Sequence, residues 1–322
     1  MKKTLVLLFT LSIVVISKAQ NYPHYTMFMF NKLLYNPAYA GNKDLTTVNV
    51  YGRRQWTGIN GAPSGATVTI DGPLGSYMKP FRPVAVGFSM NTEKAGIVTN
   101  TSLIGYYAYR IQMANKSTLS FGLQAGVTLH SADYSQLNPL DQNDPNINYS
   151  KDISNIPLPN FGAGVYYSGK NFYAGFSIPY LVENKYSHNS WGSRSDIYGK
   201  QVRTYFVSGG YIFKISDAVK LEPQVLARYA SDNMYKLPLN ADLNLSCFFY
   251  ERFMIGATYR TDKSIEGILF MQITNNICIG YAYDYAVGDL RNYNYGTHEF
   301  TVGFDFLKDK NKYMNPRFIK LF

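Results

Sequence analysis

Few side chains in this sequence are spaced for chemistry. The four histidines, His24, His130, His188 and His298, lie far apart, and none keeps the short spacing that brings two imidazoles to one metal ion. Ser177 follows Gly175-Phe176 without the flanks of a nucleophile elbow, and there is no paired C-x-x-C and no phosphate-binding glycine loop. Its hydroxyl reads as part of a polar lining. The run Asp141-Gln142-Asn143-Asp144-Pro145-Asn146-Ile147-Asn148 alternates oxygen ligands but lacks the glycine and distal glutamate of a calcium loop, so a solvated Asx-rich loop is the simpler reading. No metal, no cofactor and no enzymatic activity is expected.

The charged residues follow a pattern instead. Arg110, Glu222, Arg228, Asp242, Arg252, Arg260, Glu266, Asp284, Glu299 and Asp305 fall mostly on the polar side of segments with a period of two. In 240–249, Ala241, Leu243, Leu245, Cys247 and Phe249 alternate with Asp242, Asn244, Ser246 and Phe248; in 297–306, His298, Phe300, Val302, Phe304 and Phe306 alternate with Glu299, Thr301, Gly303 and Asp305. One face of such a strand can meet lipid and the other water. A charge on the lipid face near mid-bilayer costs about 2 to 4 kcal/mol, which sends these groups to the interior. There they would either line a charged pore or pair with one another around an internal plug, and their mixed signs favour pairing.

The elements that position them are fourteen alternating segments, near 47–56, 66–72, 84–91, 101–112, 117–131, 160–169, 171–179, 202–214, 219–230, 240–249, 252–260, 265–274, 277–286 and 297–306. From the fourth onward, short connections alternate with longer ones, of which 132–159 and 180–201 are much the longest. An even strand number, alternating loop lengths, 29 tyrosines and 20 phenylalanines fit an all-β, transmembrane antiparallel barrel with aromatic girdles. Cys247 and Cys278 fall on opposite faces of non-adjacent strands and are expected as free thiols. Lys2-Lys3, the apolar run 5–16 and Ser17-Lys18-Ala19 predict a signal peptide over 1–19. Its three lysines account for part of the net charge of +10, leaving 10 − 3 = 7, with no basic block to bind nucleic acid.

Ahead of the barrel (47–306) lies a plug segment, 20–46. The apolar run 27–34 reads as one or two helical turns, Asn36-Pro37 breaks it, and Gly41 supplies a joint. Arg53 and Gln55 share one parity of the first strand and are the first candidates to touch the plug, whereas Trp56 fits an interfacial anchor. The box Asn36-Pro37-Ala38-Tyr39-Ala40-Gly41, followed by Arg53-Arg54-Gln55-Trp56, resembles the N-terminal signature of the PorP/SprF family of type IX secretion system membrane proteins. Further along, Tyr107-Ala108-Tyr109-Arg110, Gly175-Phe176-Ser177-Ile178-Pro179 and His298-Glu299 continue the resemblance, with Tyr106 where the family has a small residue.

That resemblance implies a plugged outer-membrane barrel serving type IX secretion, while the alternating loop lengths put both mature termini in the periplasm. It also implies partners: periplasmic ring and lipoprotein components of type IX secretion, or the C-terminal domain of a secreted adhesin-like protein held at the cell surface. The tail 307–322 carries Lys312, Tyr313, Arg317 and Phe318 among other basic and apolar residues. It would either fold against the barrel mouth or dock a periplasmic component. A competing reading is a passive transporter of hydrophobic small molecules like the FadL-type channels, which also combine fourteen strands with an N-terminal hatch.

Overall fold

The computed structural model describes residues 25–76, 83–137, 152–187, 197–231 and 239–306. Its strands are β1 (Thr46–Arg54), β2 (Ser64–Pro73), β3 (Val84–Ala95), β4 (Val98–Gln112), β5 (Thr118–Ala132), β6 (Ile153–Ser168) and β7 (Phe172–Ile178), then β8 (Arg203–Tyr211), β9 (Val219–Ser231), β10 (Asn240–Phe249), β11 (Phe253–Arg260), β12 (Ser264–Gln272), β13 (Ile277–Ala286) and β14 (Thr297–Phe306). Each pairs antiparallel with the next, and β1 pairs with β14 from Thr46↔Phe306 to Arg54↔His298, so the sheet closes on itself as a barrel of 14 strands. Phe213–Lys214 extends the β8 edge along β9 beyond Ile212.

Alternation decides which face is which. On β2, Thr67, Thr69 and Asp71 are buried while Val68 and Ile70 are exposed; on β12, Glu266, Ile268 and Phe270 are buried while Ile265 and Leu269 are exposed. The outer face is a continuous apolar belt, with Phe88, Leu245, Ile255, Leu269 and Val302 each near half exposure. A belt of this extent would not stay in water, and it fits the hydrocarbon layer. Among the described residues no helix is long and apolar enough to span a membrane. Neither cysteine is in a disulfide, Cys247 being half-buried and Cys278 buried on the lumen side of β13.

The two rims differ. At one end the connections 113–117, 169–171, 250–252 and 273–276 are tight turns; at the other lie the long 133–152 and 179–202. Three expectations need correction. β6 starts at Ile153, so the loop expected over 132–159 is shorter, and Pro157 and Pro159 belong to a strand. Proline is tolerated there because β5 flanks β6 on one side only at that height, leaving the other edge free of a ladder. The connection after β7 is also not plain loop, since Lys185–Ser187 and Ile197–Lys200 pair as a separate two-stranded ribbon. Arg252 is exposed in the β10–β11 turn rather than inside, because β11 begins only at Phe253.

The lumen is filled by the N-terminal segment. A 3-10 turn (Phe28–Phe30), the one-turn helix α1 (Lys32–Tyr35) and a second 3-10 turn (Pro37–Tyr39) follow one another. Tyr25 lies at the height of Thr67 and Asn91, in the loop-end half, and Gly41 lies beside Asp71 near the turn end. The plug therefore runs down the barrel before the chain turns into β1. The expected periplasmic position of the mature N-terminus falls outside the described residues.

Candidate functional site: the plug seat

Asn36 is the pivot of the seat. It is extended (φ −142°, ψ 112°), as a residue before proline should be, and this ends α1. Its side-chain oxygen caps the next turn by accepting from Ala38 N at 3.0 Å, while Nδ2 donates to Val165 O on β6 at 3.0 Å and reaches Phe176 O on β7 at 3.4 Å. One amide thus ties the plug backbone to two strands. Pro37 occupies the first position of the turn, where its missing N–H costs nothing.

The wall beneath this box has no side chains in the way. A Cβ at Gly122 of β5 would sit 2.1 Å from Ala38 N, and one at Gly164 of β6 would sit 2.2 Å from the Asn36 side-chain oxygen. At the other end of the box Gly41 adopts φ +68° and donates its N–H to Asp71 Oδ2 at 2.8 Å, with Thr47 donating to Asp71 Oδ1 at 3.0 Å. A buried carboxylate accepting two bonds is how this fold fixes the joint between plug and barrel.

Further bonds hold the plug on every side. Ser177 donates to Tyr35 O at 2.6 Å, Tyr51 donates to Phe30 O, and Tyr25 shares a 2.7 Å hydrogen bond with Thr67. Phe30 stacks on Phe270 with 4.4 Å between centroids, and Lys32 Nζ lies 3.6 Å over the Tyr173 ring. Burial lowers the Lys32 ammonium to about 8, with the Glu222 carboxylate opposing that shift. The space left beside Lys32, Asn36 and Tyr166 is about 10 Å³, room for a single water.

Above the plug the interior charges pair with one another. Glu299 accepts from Thr26 N at 2.8 Å and Met27 N at 3.1 Å, and its carboxylate meets Arg53 Nε at 3.0 Å, cross-strand partners in the β1–β14 ladder. Arg260 joins Asp242, Glu266 and Asp284 at 3.0, 2.6 and 3.3 Å, and Arg228 also meets Asp242. Inward parity thus delivers paired charges, one pair of which grips the plug. At the turn end Arg110 pairs with Asp44, just past Gly41.

The expected site residues divide accordingly. Asn36, Pro37, Gly41 and Arg53 come together at the seat, Arg53 reaching the plug through Glu299. Gln55 is buried beyond it, its backbone N–H on Pro63 O at 2.8 Å, and half-buried Trp56 turns the chain at φ +45° with its N–H on Thr297 Oγ1. Lys312, Tyr313, Arg317 and Phe318 lie outside the described residues. Sequence reasoning missed Gly122, Gly164, Tyr51 and Asp71. Inward parity was the one signal for them, and it does not say what stands opposite.

Fold and seat together define a plugged outer-membrane-type β-barrel. The chain belongs to the type IX secretion system membrane protein PorP/SprF family, whose model matches residues 17–304. No curated protein matches it. Among solved structures it is similar to the Acinetobacter baumannii outer membrane protein Omp33, at 10% identity over 82% of this chain and 100% of that one, TM-score 0.43. A triple-mutant porin of Rhodopseudomonas blastica shares 11% identity over 81% of this chain and 99% of the porin, TM-score 0.34. The closed sheet and the family match together make the protein an outer-membrane barrel of a type IX secretion family.

Proposed function

We propose that this chain serves type IX secretion by protein recognition at its two rims, without catalysis, around a plug that stays seated. The observation that carries this reading is the seat: a plug bonded through Asn36, Gly41, Glu299 and Ser177 to strands all around the barrel is built as core rather than as a passage. A transporter of hydrophobic molecules would need a continuous apolar lumen, and the paired charges around Arg260 interrupt one.

In this reading residues 1–19 are removed on export and the turn end faces the periplasm, as short turns do in bacterial barrels. The turn end and the tail 307–322 then meet the periplasmic ring and lipoprotein components. The long connections 133–152 and 179–202 would hold the C-terminal domain of a secreted adhesin-like protein. Basic and aromatic residues of the tail, Lys312, Tyr313, Arg317 and Phe318, would guide and bury the contact. Deleting residues 309–322 should leave a heat-modifiable, membrane-inserted barrel that no longer co-purifies with the ring or exports substrate. Normal export by the truncated barrel would remove the tail from this role.

A further inference from the structure

One stretch of the wall is not closed by a strand ladder. β6 runs from Ile153 to Ser168, yet β7 pairs with it only from Ala163↔Ile178 to Ser168↔Tyr173. At Pro179 the chain leaves the sheet and crosses the lumen face of β6. A Cβ at Gly162 would stand 2.3 Å from Pro179 O, which accepts from Gln124 Nε2 at 2.9 Å. Tyr180 then packs on the lumen cluster that includes Leu33, Ala38 and Tyr39 of the plug.

Side chains bridge the seam instead. Asn160 acts as a substitute peptide unit, accepting from Val182 N at 3.0 Å and donating to Val182 O at 2.8 Å. Asn184 donates to Pro159 O at 3.0 Å and to Gln201 Oε1 at 3.0 Å, and Arg203 donates twice to Leu181 O, at 3.1 and 2.8 Å. The β6 edge here is also stripped of donors. The carbonyls of Pro159 and Phe161 point into the seam, where Asn184 and Leu181 N bond them, so the proline nitrogens of that parity face it too and offer no N–H. The Phe161 N–H is occupied by Asn160 Oδ1 at 2.8 Å. Such an edge refuses a new strand, which is how proteins keep an unpaired edge without aggregating.

A transmembrane barrel normally leaves no edge, because unpaired backbone in lipid is costly. We infer that the segment 179–184 is a lateral gate in the loop-end half of the wall, a strap that swings between β6 and β8 to open the lumen to the bilayer while the plug stays seated. Asn160 is its clamp, and Tyr180 links its position to the plug cluster. This does not depend on which partners the rims bind.

The test uses full-length barrel in liposomes with Cys247→Ser and Cys278→Ala, carrying Tyr180→Cys or, as a second probe, Ser102→Cys, a buried position on β4 whose hydroxyl is hydrogen-bonded to Tyr180 behind the strap. Ile268→Cys, lumen-facing on β12 between two full ladders, is the control. Heat-modifiable migration confirms folding of each. A maleimide confined to the bilayer should label either gate probe faster than the control, and Asn160→Ala, which removes two bonds to Val182, should raise that rate by about tenfold. Equal, clamp-independent labelling of probe and control would overturn the gate. So would labelling by a water-soluble maleimide alone, which would mean that the strap opens to the loop mouth and not to lipid.

Discussion

Asn36 and Glu299 show how single buried polar groups set the plug. Asn36→Ala removes a turn cap worth about 1 kcal/mol together with a bond to a wall carbonyl that is left unsatisfied, which costs about 1 to 3 kcal/mol more. The expected result is a heat-modifiability midpoint below that of the native chain, and Asn36→Asp should fall as well, because it keeps the capping oxygen but sets a buried acceptor against the Val165 carbonyl. Glu299→Gln leaves the Arg53 guanidinium buried opposite a neutral partner, a loss of about 3 to 5 kcal/mol when one member of a buried pair is removed. Arg53→Met should recover part of that loss, and a double-mutant cycle on the midpoints with no coupling would show that the pair does not hold the plug.

At the scale of elements, the plug and the strands under it form one packing unit. In Gly122→Ala the new methyl has only plug backbone to push against, so the 37–41 segment must lift. Amide exchange over residues 32–41 should quicken, whereas Gly105→Ala, whose nearest neighbour would be Ala125 O at 3.8 Å, should change nothing. Lys32 adds a pH dependence. Its docked ammonium titrates near 8 against an ordinary 10.5, so between those values the undocked segment binds more protons than the docked one, and docking tightens as pH rises. A midpoint that climbs from pH 8 to 9.5 in the native chain and stays flat in Lys32→Met is the expected signature. Equal slopes in both would assign the effect to another group.

For the whole molecule, function turns on which rim faces out. If the long connections lie outside, Gln136→Cys should react with an impermeant maleimide on intact cells, while Asp217→Cys in the β8–β9 turn should need permeabilisation. Both positions are exposed at their rims, so the reversed result would invert the barrel and place the tail and its partners on the wrong side.

Strand number, strand order and inward parity were legible in the sequence, because a chain that crosses lipid must satisfy its backbone by pairing and sort its side chains with period two. The segments 240–249, 277–286 and 297–306 were located to the residue for that reason. The plug's existence was legible too, from Asn36-Pro37 and Gly41. Its seat was not, because Gly122 and Gly164 matter only through the Asn36-Pro37-Ala38 backbone lying against them, a contact between residues far apart in the chain. The same holds for β6. Pro157 and Pro159 argue against a strand until the tertiary structure shows that β7 has turned away at Pro179 and left that edge without a ladder to break.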